Sequence, residues 1–293
     1  MYDRILFPTD GSDPATAALD YVRDVASTHD ATVHVLNVVD TTQQSLTQSH
    51  RERLEGLSRE GERIVSDAAS RLPGDEESVV TDVLQGVPHE RIVGYCEVHD
   101  IDLVVMPTHG RSGLGRFLLG SVTERVIATS PVPVLAVTPT DEPAEYPPRD
   151  VLVPTDGSQS ATRTLEEAVG VANATGALVH LLCVAETARL GLGSSRESSA
   201  ELRETAEEIL TAAADTAREG GLETVTRSVS VGRPYREIRT YVDDHDVDLV
   251  AVGTHGETDF SQYVLGGVSS KLLRTSPVPV LLTRESGKTP GNG

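Results

Sequence analysis

The chain has 293 residues, enough for two domains of ordinary size, each with its own hydrophobic core. Its 45 acidic residues outnumber 25 basic ones, and the net charge of −20 argues against nucleic acid or an anionic membrane as a partner. No apolar run approaches the roughly 20 residues of a membrane span, and the N-terminus enters a predicted strand at once. We therefore expect a cytoplasmic protein without a signal peptide, with reduced thiols at Cys96 and Cys183.

Lysine is nearly absent from the chain. Only Lys271 and Lys288 occur, although acidic residues are abundant. Solubility alone accounts for an acidic surface, but an ordinary acidic protein keeps its lysines. We therefore expect a halophilic composition, in which acidic groups stay hydrated in concentrated salt and screening suppresses their mutual repulsion.

Strands and helices alternate along the first half of the chain. The predicted strands are 4–7, 32–39, 77–84, 103–106 and 132–137. The predicted helices begin at 13 or 14 and then cover 46–72, 88–98 and 122–128. The strands are rich in β-branched residues, as expected of strands that are buried on both faces. This order predicts an α/β domain whose five-stranded parallel sheet is doubly wound, with helices on both sides.

The second half repeats the first at an offset of 146 residues. Recurring segments are PTDGS at 8–12 and 154–158, THG at 108–110 and 254–256, and TSPVPVL at 129–135 and 275–281. So long a period indicates duplication of a whole domain rather than a solenoid, whose repeats are about 20–50 residues.

The repeat also predicts the domain limits and the way the halves associate. The expected segments are a first domain at 1–140, a proline-rich linker at 141–149, a second domain at 150–285 and a disordered tail at 286–293. A fifth strand that stood alone would leave an exposed apolar edge in each domain. We expect the two fifth strands to pair in antiparallel fashion, which makes the chain an intramolecular pseudo-dimer.

Three segments of each half follow predicted strands, where open parallel sheets bind ligands. In the first half, Asp10 follows the first strand and could accept hydrogen bonds from an adenine amino group or a ribose. Val38 and Met106 could contact a flat base. The glycine-rich stretch 106–122 could bind phosphates, with Ser121 at a predicted helix N-cap. For Asp10 an alternative stays open, in which its carboxylate only caps the next helix.

The glycine-rich stretch resembles the nucleotide motif of the universal stress protein family, Gly-x2-Gly-x9-Gly-Ser/Thr. The matching positions are Pro107, Gly110, Gly120 and Ser121 in the first half and Gly253, Gly256, Gly266 and Gly267 in the second. With PTDGS after the first strand and SPVPV at the last, the resemblance covers nearly all of both halves. Pro107 lacks the N–H of the motif glycine and Gly267 lacks the motif hydroxyl, so whether both halves bind nucleotide is left open.

The resemblance implies a Rossmann-like fold of the adenine-nucleotide-binding type, with ATP as ligand, with or without Mg²⁺ or Mn²⁺. The residues implied for the first site are Pro8, Thr9, Asp10, Val38, Met106, Pro107, His109, Gly110, Gly120, Ser121, Val122 and Thr123. Those implied for the second site are Pro154, Thr155, Asp156, Val184, Val252, Gly253, His255, Gly256, Gly266, Gly267, Val268 and Ser269.

The function implied is that of an ATP-binding protein of stress response or signalling, in which the nucleotide biases conformation or assembly. The alternatives are a slow ATP hydrolase or phosphotransferase and a ligand-free interaction module. The sequence contains neither an HExxH pattern nor a P-loop lysine motif, so no catalytic residue is assigned. His109 and His255 could act as acids near phosphates or could simply contact backbone or ribose. The stress, the protein partner and any further association of chains are not indicated.

The two sites are expected to be unequal. Arg111 and Gly113 in the first loop correspond to Glu257 and Asp259 in the second, where two carboxylates oppose a triphosphate. Ser121 against Gly267 also favours the first site. Pro107 acts in the other direction, but we expect the first site to bind ATP more tightly.

Overall fold

The computed structural model describes residues 1–41, 48–72, 78–110, 119–139, 144–186, 197–254 and 265–284. The strands in these ranges are β1 Arg4–Pro8, β2 Thr32–Asp40, β3 Val79–Gly86, β4 Leu103–Pro107, β5 Val134–Val137, β6 Asp150–Pro154, β7 Leu178–Glu186, β8 Val225–Gly232, β9 Leu249–Gly253 and β10 Val280–Thr283. The helices are α1 Asp13–His29, α2 Gln48–Ala69, α3 Pro88–Val98, α4 Ser121–Thr129, α5 Gln159–Thr175, α6 Glu197–Glu219, α7 Pro234–Asp244 and α8 Gly267–Thr275.

All ten strands form one continuous sheet, in the order β3-β2-β1-β4-β5-β10-β9-β6-β7-β8. Pairing is parallel within each half, and β5 and β10 are antiparallel where the halves meet. Leu135 lies opposite Leu281 at this joint. These two residues differ by the repeat offset, since 281 − 135 = 146, so an approximate twofold axis passes between them. The structure confirms the doubly wound α/β fold and the predicted pairing of the fifth strands.

Helices cover both faces of the sheet, because alternate strand residues point to opposite sides. In β1, Ile5 and Phe7 lie in the core beneath α1, α2, α5 and α6, whereas Leu6 lies in the core beneath α3, α4, α7 and α8. The predicted strands therefore carry apolar residues on both faces, as in other parallel sheets that are covered on both sides.

Side chains from both halves also meet beside the sheet joint. The Tyr2 hydroxyl donates to Glu167 Oε1 at 2.7 Å. His29 Nε2 lies 2.7 Å from the hydroxyl of Tyr146, which follows the first domain. On the other face, Arg274 of α8 lies 3.9 Å from Glu124 of α4. The joint thus consists of main-chain pairing between β5 and β10, reinforced by side chains on both faces.

Several predicted ends differ from the structure. The fifth strand begins at Val134 rather than 132, because Pro133 has no N–H for the ladder. The third strand begins at Val79 rather than 77. The second helix is Gln48–Ala69 rather than 46–72, and residues 42–47 and 73–77 lie outside the described ranges.

The predicted linker lies partly outside the described residues, and the predicted tail lies wholly outside them. Part of the predicted linker, 141–143, and the whole predicted tail, 286–293, are not described. The predicted domain limits remain a prediction. Among the helices that the structure describes, none is both long and apolar enough to span a membrane.

Candidate functional site

The strand order creates a crevice at the carboxyl ends of β1 and β4. These strands are neighbours, but the chain leaves β1 toward β2 on one side and reaches β5 from β4 on the other. Such a reversal leaves room between the connections that follow the two strands, and ligands of open α/β sheets bind there. In the second half, β6 and β9 have the same relation. The topology therefore places the segments that the sequence singled out at one crevice in each half.

The turn after β1 is held by its own polar groups. The Gly11 N–H donates to Thr9 Oγ1 at 3.2 Å, and the Ser12 N–H donates to Asp10 Oδ1 at 3.0 Å. Gly11 has φ +71°, a conformation that glycine adopts without strain. The N-cap of α1 is Ser12, whose hydroxyl accepts from the Ala15 N–H. Asp10 is therefore a turn residue and not the helix cap that the alternative interpretation proposed.

The second carboxylate oxygen of Asp10 points toward the connection after β4. A Cβ added at Gly110 would lie 2.6 Å from Asp10 Oδ2, so only glycine fits beside this carboxylate without a shift. Asp10 is half-buried, as are His109 and Gly110. The predicted residues after β1 and β4 are thus brought into contact.

The start of α4 lies against the end of β4. The Gly120 N–H donates to the Thr108 carbonyl at 2.8 Å, and Thr123 Oγ1 donates to the Pro107 carbonyl at 3.0 Å. Thr123 is buried, and its hydroxyl fastens the helix to the strand. These two bonds bring both ends of the loop together, so that α4 begins at the crevice.

The N-cap of α4 is Gly120, and the prediction that Ser121 occupies this position is wrong. The Gly120 carbonyl accepts the first helical hydrogen bond, from the Glu124 N–H, and Ser121 is the first helical residue, exposed to solvent. A glycine cap has no side chain, and α4 has no side-chain capping bond. Among the described residues, no side chain therefore caps the positive end of the α4 dipole, the end at which a helix can bind an anion.

Apolar side chains form one wall of the crevice. Met106 is buried in the core beneath α3 and α4, and Val38, Leu119 and Val122 pack against the same core while keeping part of their surface exposed. Leu119 was not among the predicted site residues, because nothing in a glycine-rich stretch marks one leucine as a contact. The wall is suited to one face of a flat base.

His109 makes one hydrogen bond among the described residues. Its Nδ1 lies 3.2 Å from Thr108 Oγ1, which is also its chain neighbour. No described carboxylate orients the imidazole as a catalytic pair would require. Which of the two predicted roles His109 has stays a prediction.

The second half reproduces this arrangement. Its N-cap is Gly266, whose N–H donates to the Thr254 carbonyl at 2.8 Å, and Ser269 Oγ donates to the Gly253 carbonyl at 2.7 Å. Asp156 Oδ1 accepts from the Ser158 N–H at 3.0 Å. The apolar wall is formed by Val184, Val252, Leu265 and Val268, and the other predicted residues with described positions are Pro154, Thr155 and Gly267. His255 and Gly256 lie outside the described residues.

The two departures from the glycine motif lie at different places. Pro107 is the last residue of β4. The N–H of the next residue, Thr108, bonds to Val137 of β5. Because successive main-chain N–H groups of a strand point to opposite sides, the nitrogen of position 107 points toward β1 and the crevice. The first site therefore has no N–H there, whereas the second has Gly253. Gly267 is the first residue of α8 and is exposed, like Ser121 in α4, so its missing hydroxyl is a missing surface group at the helix start.

One buried polar residue of the site region was not predicted. Asn37 lies in β2 between apolar neighbours, and its side-chain N–H donates to the Thr9 carbonyl at 2.8 Å. An amide inside a valine- and leucine-rich strand is a signal that could have been noticed, because buried polar groups need a partner. Its partner could not be read from the sequence.

Comparison with known proteins identifies both halves. The model of the universal stress protein family matches residues 1–138 and again 148–284. One universal stress protein of Methanocaldococcus jannaschii is 37% identical over 140 residues, which cover 47% of this chain and 82% of that protein. A second from the same organism is 31% identical over 154 residues and is covered to 95%.

A solved structure resembles the whole chain. The crystal structure of a universal stress protein from Archaeoglobus fulgidus superposes with a TM-score of 0.64 at 25% identity, covering 96% of this chain and 98% of that one. The likeness thus extends over both halves and their mutual arrangement, and it agrees with the duplicated family match. The chain belongs to the universal stress protein family, with a family domain in each half.

Proposed function

We propose that the chain binds ATP in the crevice of each half and that the bound nucleotide biases conformation or assembly in a cytoplasmic stress response. The observation that carries this proposal is the contact between Asp10 and Gly110 next to a helix start capped by a glycine. It combines an acceptor for a ribose or adenine group with a helix N-terminus that could bind phosphate. Both recur in the second half around Asp156 and Gly266.

Each part of the crevice has a role in this proposal. Val38, Met106 and Val122 pack against the base, and Asp10 accepts hydrogen bonds from the nucleoside. The main-chain N–H groups of the first turn of α4 bind phosphate oxygens. No group of three or more His, Cys, Asp or Glu side chains among the described residues is arranged to hold a metal. A Mg²⁺ or Mn²⁺ ion would therefore be held mainly by the phosphates and water.

The first test is to identify the ligand. Protein purified without denaturation is expected to release ATP, as measured by mass spectrometry of the extracted small molecules. Isothermal titration of the ligand-free protein should then show ATP binding. Release of ADP with turnover of added ATP would instead support slow hydrolysis. Absence of any adenine nucleotide, together with a flat titration, would support the ligand-free module and contradict the proposal.

The second test removes the acceptor at Asp10. Asp10→Asn keeps Oδ1, which accepts from Ser12, but places an amide nitrogen where Oδ2 meets the ligand. ATP affinity at the first site should fall about tenfold, or ~1.4 kcal/mol. The matched control is Asp20→Asn, which removes an exposed carboxylate of α1 that pairs with Arg23. Equal affinities for the two variants would contradict a role for Asp10.

A further inference from the structure

The buried amide of Asn37 is committed to one main-chain atom. The side chain belongs to a residue that is only 7% exposed, and its N–H donates to the Thr9 carbonyl at 2.8 Å. An amide in such a position is costly unless it is hydrogen-bonded. Thr9 directly precedes Asp10, so this bond tethers the residue before the proposed ligand acceptor.

The same turn occurs twice in the chain, and the tether distinguishes the copies. The Thr9 N–H donates to the Leu36 carbonyl of β2 at 2.8 Å. In the second half, the Thr155 N–H donates to the Leu182 carbonyl of β7 at 2.9 Å. The two internal bonds of the turn are 3.2 Å and 3.0 Å long in both halves. The position of Asn37 is taken by Cys183, which makes no hydrogen bond to Thr155 in the described structure. Of these described bonds, the second turn lacks the tether.

The helix that packs on this strand shows the same difference. A Cβ added at Gly61 of α2 would lie 2.7 Å from Asn37 Oδ1 and 2.9 Å from Val83 Cγ1. A side chain at position 61 would therefore press on both Asn37 and Val83.

The matching residue of α6 is Ala206. Ile64 and Ile209 lie against the turn glycines Gly11 and Gly157, and Gly61 and Ala206 each precede those isoleucines by three residues. Ala206 is buried on the same face as Cys183. The first half therefore combines amide with glycine, and the second combines thiol with alanine.

We propose that Asn37 is a positioning residue that makes the first nucleotide site tighter than the second. The inference rests on the proposed function, and it identifies a cause of unequal affinity that lies outside the phosphate loops. A tethered Thr9 holds the Asp10 turn in one conformation before ligand arrives, so that less conformational entropy is lost on binding. The turn that carries Asp156 in the second site lacks this bond, so more of its ordering must take place when the ligand binds.

The test exchanges the two residue pairs. Asn37→Cys with Gly61→Ala gives the first half the pair of the second, so that the tether is lost. The first site is measured by ATP titration in an Asp156→Asn background, which weakens the second site. We expect ATP to bind about three- to tenfold more weakly than in the background alone. A folded variant whose affinity changes by less than twofold would overturn the proposal.

The reverse exchange gives a result that damage to the fold cannot imitate. Cys183→Asn with Ala206→Gly, in an Asp10→Asn background, should tighten ATP binding at the second site by a similar factor. If the Asn37→Cys, Gly61→Ala variant fails to fold, the reverse exchange tests the proposal by itself. An unchanged affinity of the second site for ATP then overturns it. If the unaltered protein binds no ATP, the proposed function itself fails. If it binds and neither exchange has an effect, only the positioning role fails.

Discussion

At the joint between the halves, the surroundings of His29 favour its neutral form. The His29 ring packs edge-on against Tyr2 and is hydrogen-bonded to the Tyr146 hydroxyl. Burial, and then the positive N-terminal amine, lower the pKa of His29 to about 4. Because the unfolded chain binds this proton more tightly than the folded one, acid favours unfolding.

The free energy of unfolding should therefore fall as the pH drops. The His29 contribution is fully present above about pH 6.5 and is lost toward pH 4; since the side chain is only half-buried, we expect about 1–2 kcal/mol. Burial raises the pKa of the nearby Glu167, whose contribution has the opposite sign. Urea unfolding at pH 7 and pH 4.5 should show a larger drop for the unaltered protein than for His29→Gln. Equal drops would contradict the assignment.

Some residues of the crevice could be predicted from the sequence and others could not. Asp10 and Gly110 follow strands whose order is typical of a doubly wound sheet, so their convergence was predictable. The cap at Gly120 was not, because a serine follows it and a hydroxyl is the usual cap. The role of Asn37 depends on Gly61 in another element, and no local pattern connects two residues so far apart.

The joint between β5 and β10 rests on two four-residue strands. Leu135 and Leu281 face each other there with 3% and 1% of their surface exposed. Both belong to the core beneath α1 and α5, so the same side chains close the sheet and fill the core of both halves.

Truncation at this joint should destabilise the whole chain. Leu135→Ala removes buried methyl groups at a position where the strands on both sides are fixed, and we expect a loss of about 2–5 kcal/mol in the free energy of unfolding. Urea unfolding measures it. Val98→Ala is the control, because Val98 is 76% exposed and should change stability by less than about 0.5 kcal/mol. A loss below about 1 kcal/mol for Leu135→Ala would mean that the joint adapts to the cavity.

The types and order of the helices and strands could be predicted from the periodicity of the sequence. The position of helices α2 and α6 relative to the strands could not. The repeat offset is 146 in the strands, but Ile64 of α2 corresponds to Ile209 of α6, an offset of 209 − 64 = 145. Each isoleucine contacts a turn glycine, so the two helices lie one residue out of step with the strand repeat. Tertiary contacts of this kind leave no mark on hydrophobic spacing.

The net charge of the whole molecule leads us to expect that its stability depends on salt. At a net charge of −20, lowering the salt from 1 M to 0.1 M extends the screening length from about 3 Å to about 10 Å, so acidic groups repel across larger distances. The melting temperature should rise between 0.1 M and 2 M KCl, as measured by calorimetry. A flat curve would show that the lysine-poor composition is not an adaptation to concentrated salt.

The antiparallel pairing of β5 with β10 decides where the two crevices open. Each crevice lies at the carboxyl ends of its own strands, and the strands of the two halves run in opposite directions. The crevices therefore face away from each other, at opposite margins of one sheet. The two margins also differ chemically, at residues 37 and 183, at 107 and 253 and at 121 and 267.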